Sequence, residues 1–527
     1  MNTSFSGITS EVPAQSQRAY VLDDTDRRRL SARWTVTAEL ELRTAAQIGS
    51  QEGVYTDQTF ERTDAGFPLL RGSTLCGALQ SFVRDYLDGY RSQKPAAASP
   101  VEDLFGTLEY ENPHESRVLV FDSVAVVRTP NPKEGFATSI RDGVRINPVT
   151  GLAVAGFKYD RELLLPSANF YFPIRLDVVV PTGEAEAELL STVAKALEGL
   201  TDTDSGIRLG ARRSRGLGEC YACHFRARRY DLETEQGWLD FASSEYGTQP
   251  RQGFSQVASI KKNDTPLAAL QAAWPQFPAL TQEDQRRFIA LRFDLNVCST
   301  ILIRTPPGDP QEADMMHLTE GGRPLLSGTT LASVFVRQTR RILHTLHWPD
   351  HEIEKYLRSL FGALPEKQVD SGIPLASRVW VSEPCLFGSR KYRQQRVMID
   401  RFTGGAMELA LFDQEPCVGG SVSFLVVVRQ AASLRPDMAT DEKDLLLMLL
   451  AGRDLLENFV TIGGEASVGR GIVRGTLRII TYGPESRNRE YLLNSDTGVP
   501  DGAQAHEINT LLASHLPLRN PVPESTA

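Results

Sequence analysis

The segment Phe67-Pro68-Leu69-Leu70-Arg71-Gly72-Ser73-Thr74-Leu75 returns 256 residues later (324 − 68) as Arg323-Pro324-Leu325-Leu326-Ser327-Gly328-Thr329-Thr330-Leu331. Three further markers repeat in the same order. They are Leu104-Phe105-Gly106 with Leu360-Phe361-Gly362 (offset 256, from 360 − 104), Ile146–Gly151 with Ile399–Gly404 (offset 253, from 399 − 146), and Gly210–Gly218 with Gly463–Gly471 (offset 253, from 463 − 210). Four markers in one order predict a tandem fusion of two related units, each with its own version of any site.

The bulk composition is that of an ordinary soluble globular protein. The 527 residues are 41% hydrophobic and 23% charged, with a net charge of −9. Six cysteines in a chain of this length favour a reducing compartment over a disulfide-stabilised scaffold. Residues 1–17 are polar and unlike a signal peptide, and no apolar run is long enough to cross a membrane. We therefore expect a cytoplasmic protein that has no membrane partner.

Each unit shows the same succession of elements. An alternating strand and an amphipathic helix flank the repeated turn, and a second strand, a second helix, a glycine-rich loop and a last strand follow. The predicted pairs are strands Trp34–Leu42 and Ile289–Val297, helices Leu75–Tyr90 and Leu331–Leu346, strands Tyr171–Val180 and Ser423–Val428, and helices Ala185–Leu200 and Glu442–Phe459. This pattern predicts an α+β fold of two tandem ferredoxin-like, RRM-like domains.

The predicted boundaries follow from these elements. They are residues 1–31 for a disordered N-terminal segment, 32–230 for the first domain, 231–285 for an inter-domain linker or elaboration, 286–482 for the second domain, and 483–527 for a polar C-terminal tail with a short helix near His506–Leu516. In each domain the middle section, 107–165 or 363–418, is too long for a simple connection. Connections of such length inside a compact unit are usually functional.

The turn before each first helix is a candidate phosphate site. Free backbone N–H groups and the helix dipole attract anions at a helix N-terminus, and glycine allows close approach. Ser73 and Thr329 are the expected helix caps. The alternative is a capped helix end that binds no ligand. The candidate contacts at the two turns are Arg71, Gly72, Ser73, Thr74, Gly328, Thr329 and Thr330.

Basic residues are clustered despite the negative net charge. Arginine recognises phosphate as a planar fork, and nearby glycines let the backbone approach a ligand. The candidates are Arg208, Arg212, Arg213, Arg215 and Gly216 in the first glycine-rich loop, Lys391, Arg393, Arg396 and Arg401 in the second middle section, and Arg470 in the second glycine-rich loop. One interpretation is a locally basic groove on an acidic protein. The other is a set of solvated loops.

Two aspartates lie in equivalent loops between the first strand and the turn, Asp57 and Asp314. An aspartate beside a phosphate-binding turn can act as a general base or hold a divalent ion. The alternative is a solvated turn residue. Nearby titratable residues are Glu61, Asp64, Glu312 and His317. The chain has only eight histidines, and they form no well-placed pair for a His–His mechanism.

The segment Cys220-Tyr221-Ala222-Cys223-His224 matches the c-type haem attachment pattern. We reject haem because the motif falls in a predicted strand and because no export signal accompanies it. A zinc site would need a second Cys or His pair, and none is nearby in the sequence. A structural role is the favoured interpretation.

Together these motifs resemble the backbone subunits of type III CRISPR-Cas effector complexes, in the RAMP superfamily. Pro68–Gly77 resembles the family's proline–glycine–serine–serine–leucine–lysine–glycine signature, and Ile399–Gly404 resembles its isoleucine–aspartate–arginine–x–threonine–glycine segment. Gly210–Gly218 and Gly463–Gly471 resemble its C-terminal glycine-rich loop. The fusion of two copies is similar to the double backbone subunit of subtype III-D variant complexes.

The resemblance implies a ferredoxin-like palm with an inserted β-hairpin thumb in each unit. The thumbs would wedge between bases of a guide–target RNA duplex at intervals of six nucleotides. The phosphate contacts named above, together with Arg62, would bind RNA. Asp57 and Asp314 would cleave the target with a divalent metal ion, Mg²⁺ or Mn²⁺, for which both are candidate ligands. Arg62 has the spacing from Asp57 that the family shows, whereas Thr319 stands at that spacing from Asp314, and Asn147-Pro148 replaces the aspartate–arginine pair of the first copy.

The expected partners are the crRNA, the target RNA and other type III subunits, namely a large polymerase/cyclase-type subunit, other backbone subunits and a small subunit. Three other functions stay open. They are a non-catalytic crRNA-binding scaffold, a stand-alone guide-processing ribonuclease of the same superfamily, and a ferredoxin-like regulator that binds small ligands. Co-purifying RNA would separate the regulator from the rest, and substitution of Asp57 and Asp314 would separate a nuclease from a scaffold.

Overall fold

The computed structural model describes residues 29–49, 56–90, 99–107, 115–128, 136–146, 153–243, 261–307, 309, 311–362, 375–430, 440–484, 488–496 and 502–519. The expected disordered segment 1–31 lies outside these described residues up to position 28, and so does Asn147-Pro148. Within the described ranges, no helix is both long enough and apolar enough to cross a bilayer.

The first unit is an antiparallel sheet with helices on one face. Its strands are β1 (Leu30–Leu42), β2 (Leu69–Leu70), β3 (Val118–Val120), β4 (Ser123–Val124), β5 (Val126–Val127), β6 (Thr138–Ile146), β7 (Ala153–Leu164), β8 (Phe170–Pro181) and β9 (Cys220–Asp231). Its helices are α1 (Gly72–Asp88), α2 (Pro100–Phe105) and α3 (Glu186–Glu198). The main sheet has the order β3-β8-β1-β9, which is that of a ferredoxin-like fold.

The alternation of β1 explains why these layers form. Successive side chains of a strand point to opposite faces, and Trp34, Val36, Ala38 and Leu40 are all buried. They share one apolar core with residues of α1 and α3, among them Leu75, Leu79, Leu190, Val193 and Leu197. Burial of apolar surface contributes about 25 cal/mol per Å², so this face holds both helices against the sheet.

The segment between the units is, where described, an elaboration of the first unit. It contains α4 (Glu235–Ser243) and α5 (Pro266–Ala273). Asn263 forms a bridge with Phe225 of β9, and the Trp274 ring lies 6.2 Å from that of Trp34. The indole rings and α5 therefore extend the first core.

The second unit repeats the layout of the first. Its strands are β10 (Arg287–Val297), β11 (Thr300–Ile301), β12 (Arg304–Thr305), β13 (Met315–His317), β14 (Thr319–Glu320), β15 (Arg323–Pro324), β16 (Val379–Val381), β17 (Arg390–Lys391), β18 (Gln394–Ile399), β19 (Ala406–Glu415), β20 (Cys417–Val418), β21 (Ser421–Gln430), β22 (Val473–Tyr482) and β23 (Glu490–Asn494). Its helices are α6 (Gly328–Thr345), α7 (Asp350–Phe361), α8 (Thr440–Leu456) and α9 (Gly502–His515). The main sheet has the order β16-β21-β10-β22-β23.

The C-terminal segment differs from the expected polar tail. β23 pairs antiparallel with β22, from Thr476↔Asn494 to Ile480↔Glu490, and adds a fifth strand to the sheet. Ile508 and Leu516, in and just after α9, join the second core. The segment Glu490-Tyr491-Leu492-Leu493-Asn494 does not alternate between polar and apolar residues, because the outward-facing position is an exposed leucine, Leu492, so this pairing is visible only in the tertiary structure.

A β-hairpin is inserted into the long middle section of each unit. β6 and β7 form the first hairpin, with Asp142 opposite Asp160. β18 and β19 form the second, with Gln395 opposite Asp413. Both opposed pairs are related by the offset of 253 (395 − 142 and 413 − 160), so the hairpins have the same register. We call them the thumb hairpins.

The two units contact each other through a surface that we call the junction. An apolar cluster there contains Tyr90 of the first unit and Phe288, Ala290 and Val427 of the second. Beside it, Arg141 of the first thumb hairpin is ion-paired with Glu320 and, at 2.7 Å, with Glu383. Burial disfavours the charged guanidinium of Arg141, but the two carboxylates outweigh burial and raise its pKa. The junction is therefore apolar with a buried charged clamp.

Candidate nucleic-acid interface

Asp57 is exposed and bound to strand β7 of the first thumb hairpin. Its backbone N–H donates to Oδ1 of Asp160 at 2.7 Å, and the N–H of Asp160 donates to Oδ2 of Asp57 at 3.0 Å. One step further, the N–H of Glu162 donates to the carbonyl of Gln58 at 2.9 Å. The loop that carries Asp57 therefore runs alongside β7 in a parallel sense.

Asp314 has the same arrangement in the second unit. Its N–H donates to Oδ1 of Asp413 at 3.0 Å, and the N–H of Asp413 donates to Oδ2 of Asp314 at 3.0 Å. β13, which begins directly after Asp314, is parallel to β19, with Met315 opposite Gln414. The two aspartates predicted from the sequence thus occupy equivalent places.

The sequence candidates do not include Asp160 and Asp413. Both stand in a repeated segment, Tyr159-Asp160-Arg161-Glu162 and Phe412-Asp413-Gln414-Glu415, whose offset is 253 (413 − 160). The markers on either side of this segment have the same offset. Extending the comparison of the two copies between those markers would therefore identify both residues.

In each unit a cationic side chain lies beside the aspartate loop. The two cations come from different structural elements. Arg62 donates to Oε1 of Glu162 at 2.7 Å, and Thr59 donates to Oε2 at 2.5 Å. Partial burial opposes ionisation of Glu162, but these bonds prevail and lower its pKa. In the second unit, Glu415 is the equivalent carboxylate, and Lys391 lies 2.9 Å from it.

The turn glycines do not offer a free N–H to phosphate. The N–H of Gly72 donates to Oδ1 of Asp122 at 2.7 Å, and the N–H of Gly328 donates to Oε1 of Glu383 at 3.2 Å. A helix N-terminus attracts any carboxylate, and here the chain supplies its own. The prediction that these two N–H groups bind phosphate is therefore corrected. A methyl group on Gly72 would lie 2.2 Å from the carbonyl oxygen of Val120, so close packing requires glycine there.

The expected helix caps also need correction. The residues at the N-cap are Arg71, which makes no side-chain cap, and Ser327, whose hydroxyl accepts from the N–H of Thr330 at 3.3 Å. Ser73 and Thr329 lie one position inside their helices and are exposed, and Thr74 and Thr330 are half-buried. The exposed Arg71 is paired with Glu61, with Nε donating at 2.7 Å.

Part of the first glycine-rich loop belongs to the junction. The buried Arg208 donates to the carbonyls of Arg213 at 3.0 Å and Val381 at 3.4 Å, and Arg215 donates to the carbonyl of Phe361 at 3.5 Å. A methyl group on Gly216 would lie 2.7 Å from the backbone nitrogen of Glu383. The prediction that Arg208, Arg215 and Gly216 contact RNA is therefore corrected, because they hold the two units together.

The other two arginines of that loop have different surroundings, since Arg213 lies near Asp85 and Arg429 at the junction and Arg212 contacts the first thumb hairpin. Arg212, in the left-handed region at φ 54°, donates to the hydroxyl of Tyr159 at 2.6 Å. Arg213 is exposed. Arg212 therefore ties the loop to the thumb strand β7, and Arg213 is accessible to a ligand.

The second glycine-rich loop contains a compact charge network around Glu465. Its carboxylate lies 2.9 Å from Arg304, 2.8 Å from Arg396 and 2.9 Å from Arg470. Arg470 is 2% exposed and also donates to Gln394 and Gln414. Its predicted RNA contact is corrected to a structural role, since a guanidinium this buried cannot reach a ligand without rearrangement. Arg396 is half-buried in the same network.

The repeated Ile-Asp-Arg-Phe-Thr-Gly motif forms the tip of the second thumb hairpin. Oδ1 of Asp400 accepts from the N–H groups of Phe402 and Thr403, both at 2.8 Å, and these bonds lower the pKa of Asp400. This turn presents the exposed Arg401 and a fully exposed Phe402 ring. The neighbouring Arg393 is also exposed and donates to Asp413 at 2.7 Å.

The RAMP superfamily model matches residues 39–221 and 294–474, which together form more than half of the chain. The chain belongs to the RAMP superfamily. Each match covers one of the two ferredoxin-like units, so the protein contains two RAMP units in tandem. No curated protein matches the chain.

Two titratable side chains near the RAMP motifs are buried in the fold. His317 is buried, and burial lowers its pKa to about 4. Cys220 of the Cys-x-x-Cys-His segment lies in β9, and burial raises its thiol pKa to about 12. Both side chains are buried, so neither can reach a ligand at the surface without rearrangement.

The loop aspartates of the two RAMP units offer only hard oxygen donors. Among the described residues, no three His, Cys, Asp or Glu side chains converge in a metal-binding group. Mg²⁺ in proteins keeps several waters and is commonly held by one or two carboxylates plus substrate phosphates. Asp57 and Asp314 each offer one carboxylate of the kind that holds such an ion, and neither belongs to a closed protein cage among the described residues.

Proposed function

We propose that this protein is an RNA-binding backbone subunit of a type III CRISPR effector complex, of the double-copy form found in subtype III-D variants. It would hold the crRNA and cleave complementary target RNA at two sites six nucleotides apart. The observation that carries the proposal is the repeated pair Asp57–Asp160 and Asp314–Asp413. In each unit an exposed carboxylate is fixed at the same point of a thumb hairpin, which suits a ligand whose own structure repeats.

The guide would be held through its phosphates, so that binding is independent of sequence. Target identity would then be read by pairing with the guide. The accessible polar and basic groups available for this role are Arg62, Arg71, Ser73, Thr74, Arg212, Arg213, Thr329, Thr330, Lys391, Arg393, Arg396 and Arg401. Several are paired with carboxylates, as Arg71 is with Glu61, so RNA binding would exchange one anionic partner for another.

The second thumb tip supports the wedging of bases. Phe402 presents its whole side chain to solvent, and Arg401 beside it is exposed. Stacking of a base on an aromatic ring contributes about 1–3 kcal/mol. A base displaced by Phe402 would distort the target backbone, and Asp314 is bound to the base of the same hairpin through Asp413.

Cleavage would proceed by attack of a target 2′-hydroxyl on the adjacent phosphate. The 5′-oxygen of the next nucleotide would leave, and a 2′,3′-cyclic phosphate would remain. Asp57 and Asp314 would accept the hydroxyl proton or hold a divalent ion. Mg²⁺ or Mn²⁺, when bound, would offset the charge that develops on the phosphate. The bond from Asp160 engages only Oδ2 of Asp57, which leaves Oδ1 for this work.

The second RAMP unit retains the elements of a site even though Thr319 replaces the arginine of the first. Lys391 stands 2.9 Å from Glu415, the carboxylate that corresponds to the Arg62 partner Glu162. A lysine from β17 therefore supplies the positive charge beside the Asp314 loop. This substitution supports activity in both units.

The junction supports the expectation of neighbouring backbone subunits. Within the chain, the first glycine-rich loop lies against the second turn, with Gly328 facing the Arg215 carbonyl. Surfaces equivalent to the two sides of this contact are present at the two ends of the tandem. They are the first turn with its exposed Asp122, and the second loop with its exposed Val468. Contacts of this head-to-tail kind can be extended by further subunits. A large polymerase/cyclase-type subunit and a small subunit would complete the complex.

The proposal is tested by assembling the complex with a guide and supplying end-labelled RNA. Complementary and unrelated RNA would be incubated with Mg²⁺, Mn²⁺ or EDTA, and product ends would be analysed. We expect guide-dependent products with cyclic phosphate ends, lost in EDTA. Tight guide binding without any cleavage would indicate a scaffold, and cleavage of unpaired guide precursor alone would indicate a guide-processing ribonuclease.

A further inference from the structure

The loops that carry Asp57 and Asp314 are attached to the thumb strands by a shared set of bonds. In the first unit, Asp57, Gln58 and Thr59 each bond to β7, through Asp160 or Glu162. In the second unit, Asp314 bonds to Asp413, and β13 continues the contact along β19. Each aspartate is therefore attached to its thumb hairpin by hydrogen bonds from the loop to the thumb strand.

We propose that Asp160 and Asp413 are positioning residues that fix the cleaving carboxylates to the thumb hairpins, so that the thumb determines which phosphate is cut. This inference rests on the proposed function. Asp160 does not itself contact the reacting atoms. Its side chain accepts the N–H of Asp57 and holds the loop backbone against β7, where the N–H of Asp160 orients the Asp57 carboxylate.

The chemistry of the pair explains why the acceptor is a short polar side chain. An aspartate oxygen reaches the N–H of a neighbouring strand without distortion, and the N–H of Asp160 returns a bond to the Asp57 carboxylate at 3.0 Å. Two carboxylates side by side repel each other. In the second unit Arg393 relieves this repulsion by donating to Asp413 at 2.7 Å. The bonds from Asp314 and Arg393 lower the pKa of Asp413, so its acceptor oxygens stay available.

The pairing of β6 with β7 links the position of the thumb to the position of the Asp57 loop. β6 and β7 are paired from Thr138↔Leu164 onward, with Asp142 opposite Asp160. The ladder is continuous from Thr138↔Leu164 to Val144↔Lys158, so it connects the thumb directly to the strand that holds Asp57. Any base step at which the thumb inserts therefore places Asp57 a fixed distance away, and the cut falls at a constant spacing from the displaced base.

The test uses the assembled complex under single-turnover conditions, with the first-unit product followed separately. Four variants are compared: Asp57→Ala, Asp160→Ala, Asp160→Asn and Asp142→Ala. Asn keeps an oxygen acceptor for the Asp57 N–H but removes the charge. Asp142 is the matched control, since it lies directly opposite Asp160 in the hairpin and is paired with Lys158 instead of the loop.

We expect Asp160→Ala to lower the maximal cleavage rate by about 10- to 100-fold, because small misplacements of a catalytic group have effects of that size. The concentration of complex that gives the half-maximal rate should stay unchanged, and minor products should appear at neighbouring phosphates. Asp160→Asn and Asp142→Ala should stay within about threefold of wild type. Amide exchange at Asp57 should rise in Asp160→Ala, because its acceptor is lost, while the amide of Leu165, which donates to the carbonyl of Ala137, stays protected and shows that the hairpin is retained.

Two results would overturn the inference while leaving the proposed function intact. One is a wild-type rate and a single product in Asp160→Ala when Asp57→Ala is inactive. The other is an Asp160→Asn variant as slow as Asp160→Ala, which would make the charge of Asp160 essential and its acceptor role insufficient. Full first-unit cleavage in Asp57→Ala would refute the proposed function itself, and the positioning role would fall with it.

Discussion

His317 occupies in the second unit the buried position that Phe60 occupies in the first. The two residues are 257 apart (317 − 60), the same offset as Asp314 and Asp57 (314 − 57), and each is 1% exposed. The histidine therefore serves as a core residue three positions after the candidate catalytic aspartate. Its Nδ1 faces the backbone N–H of Ile303 at 3.2 Å.

The buried position of His317 predicts that the folded state is destabilised by acid. Replacement of His317 by phenylalanine should remove this destabilisation. Burial lowers the pKa of His317 to about 4, so the folded state resists a proton that the unfolded chain accepts near pH 6.5. Stability is then lost as pH falls from 6.5 towards 4, by up to roughly 3 kcal/mol. We expect the melting temperature of His317→Phe to vary less with pH over this range than that of the wild type. At pH 7.5 the variant should lose about 1 kcal/mol of stability, because the ring no longer bonds the backbone of Ile301 and Ile303.

Melting temperatures from pH 4 to pH 8 would check this prediction. His351→Gln is a suitable control, since His351 is exposed and should leave the pH dependence unchanged. Parallel curves for wild type and His317→Phe would contradict a buried, neutral histidine.

Asp85 predicts a pH effect of the opposite sign at the junction. Burial raises the pKa of Asp85 to about 6, against the attraction of Arg429 and Arg286. The folded protein therefore takes up a proton between pH 6 and about 4 that the unfolded chain does not, and this group adds stability as pH falls through that window. Asp85→Asn should raise stability at pH 7.5 by about 1–2 kcal/mol, a figure reduced because the side chain is not fully buried. A lower melting temperature for Asp85→Asn at pH 7.5 would show that its ion pairs dominate.

The turn of the second unit packs closely against the glycine-rich loop of the first. One added methyl group at this contact should therefore lower the stability of the protein. A methyl on Gly328 would lie 2.1 Å from the carbonyl oxygen of Arg215. Gly328→Ala should therefore open the junction and cost about 1–3 kcal/mol. Gly77, within α1, has open space around it. Gly77→Ala should gain about 0.5–1 kcal/mol from helix propensity. Equal melting temperatures for the two variants would contradict the junction as described.

The two cations beside the aspartate loops predict separable losses of cleavage. Arg62→Ala should slow the first-unit product, and Lys391→Ala the second-unit product, each by about tenfold or more, because each removes a charge next to one loop. Arg390→Ala is the control for Lys391, since Arg390 is its exposed neighbour in β17. Product-resolved rates would check this. Slowing of both products by Lys391→Ala would mean that the lysine acts on guide binding in general.

The sequence predicts the framework well because the framework depends on local pattern. The alternation of Trp34–Leu42 and Ile289–Val297 is enough to place the central strands β1 and β10. The helix after each turn is equally clear, although its cap is not. Ser73 looks like a cap, but the helix begins one residue earlier, at Gly72.

The details of the site depend on contacts between distant residues, and local pattern cannot supply these. The N–H of Gly72 meets Asp122 across 50 residues, and Arg208 reaches Val381 across 173 residues. An arginine-rich loop has the same composition whether it faces RNA or another domain. Asp160 is the exception, since the repeat itself contains the information needed to find it.

The most direct test of the central claim is the product ladder from wild type, Asp57→Ala, Asp314→Ala and the double variant. Each assembled complex would be given the same end-labelled complementary RNA in Mg²⁺. We predict that each single variant loses one distinct product, that the two lost products lie six nucleotides apart, and that the double variant loses both. An unchanged ladder in all four complexes would contradict the claim and assign the cleavage to another subunit.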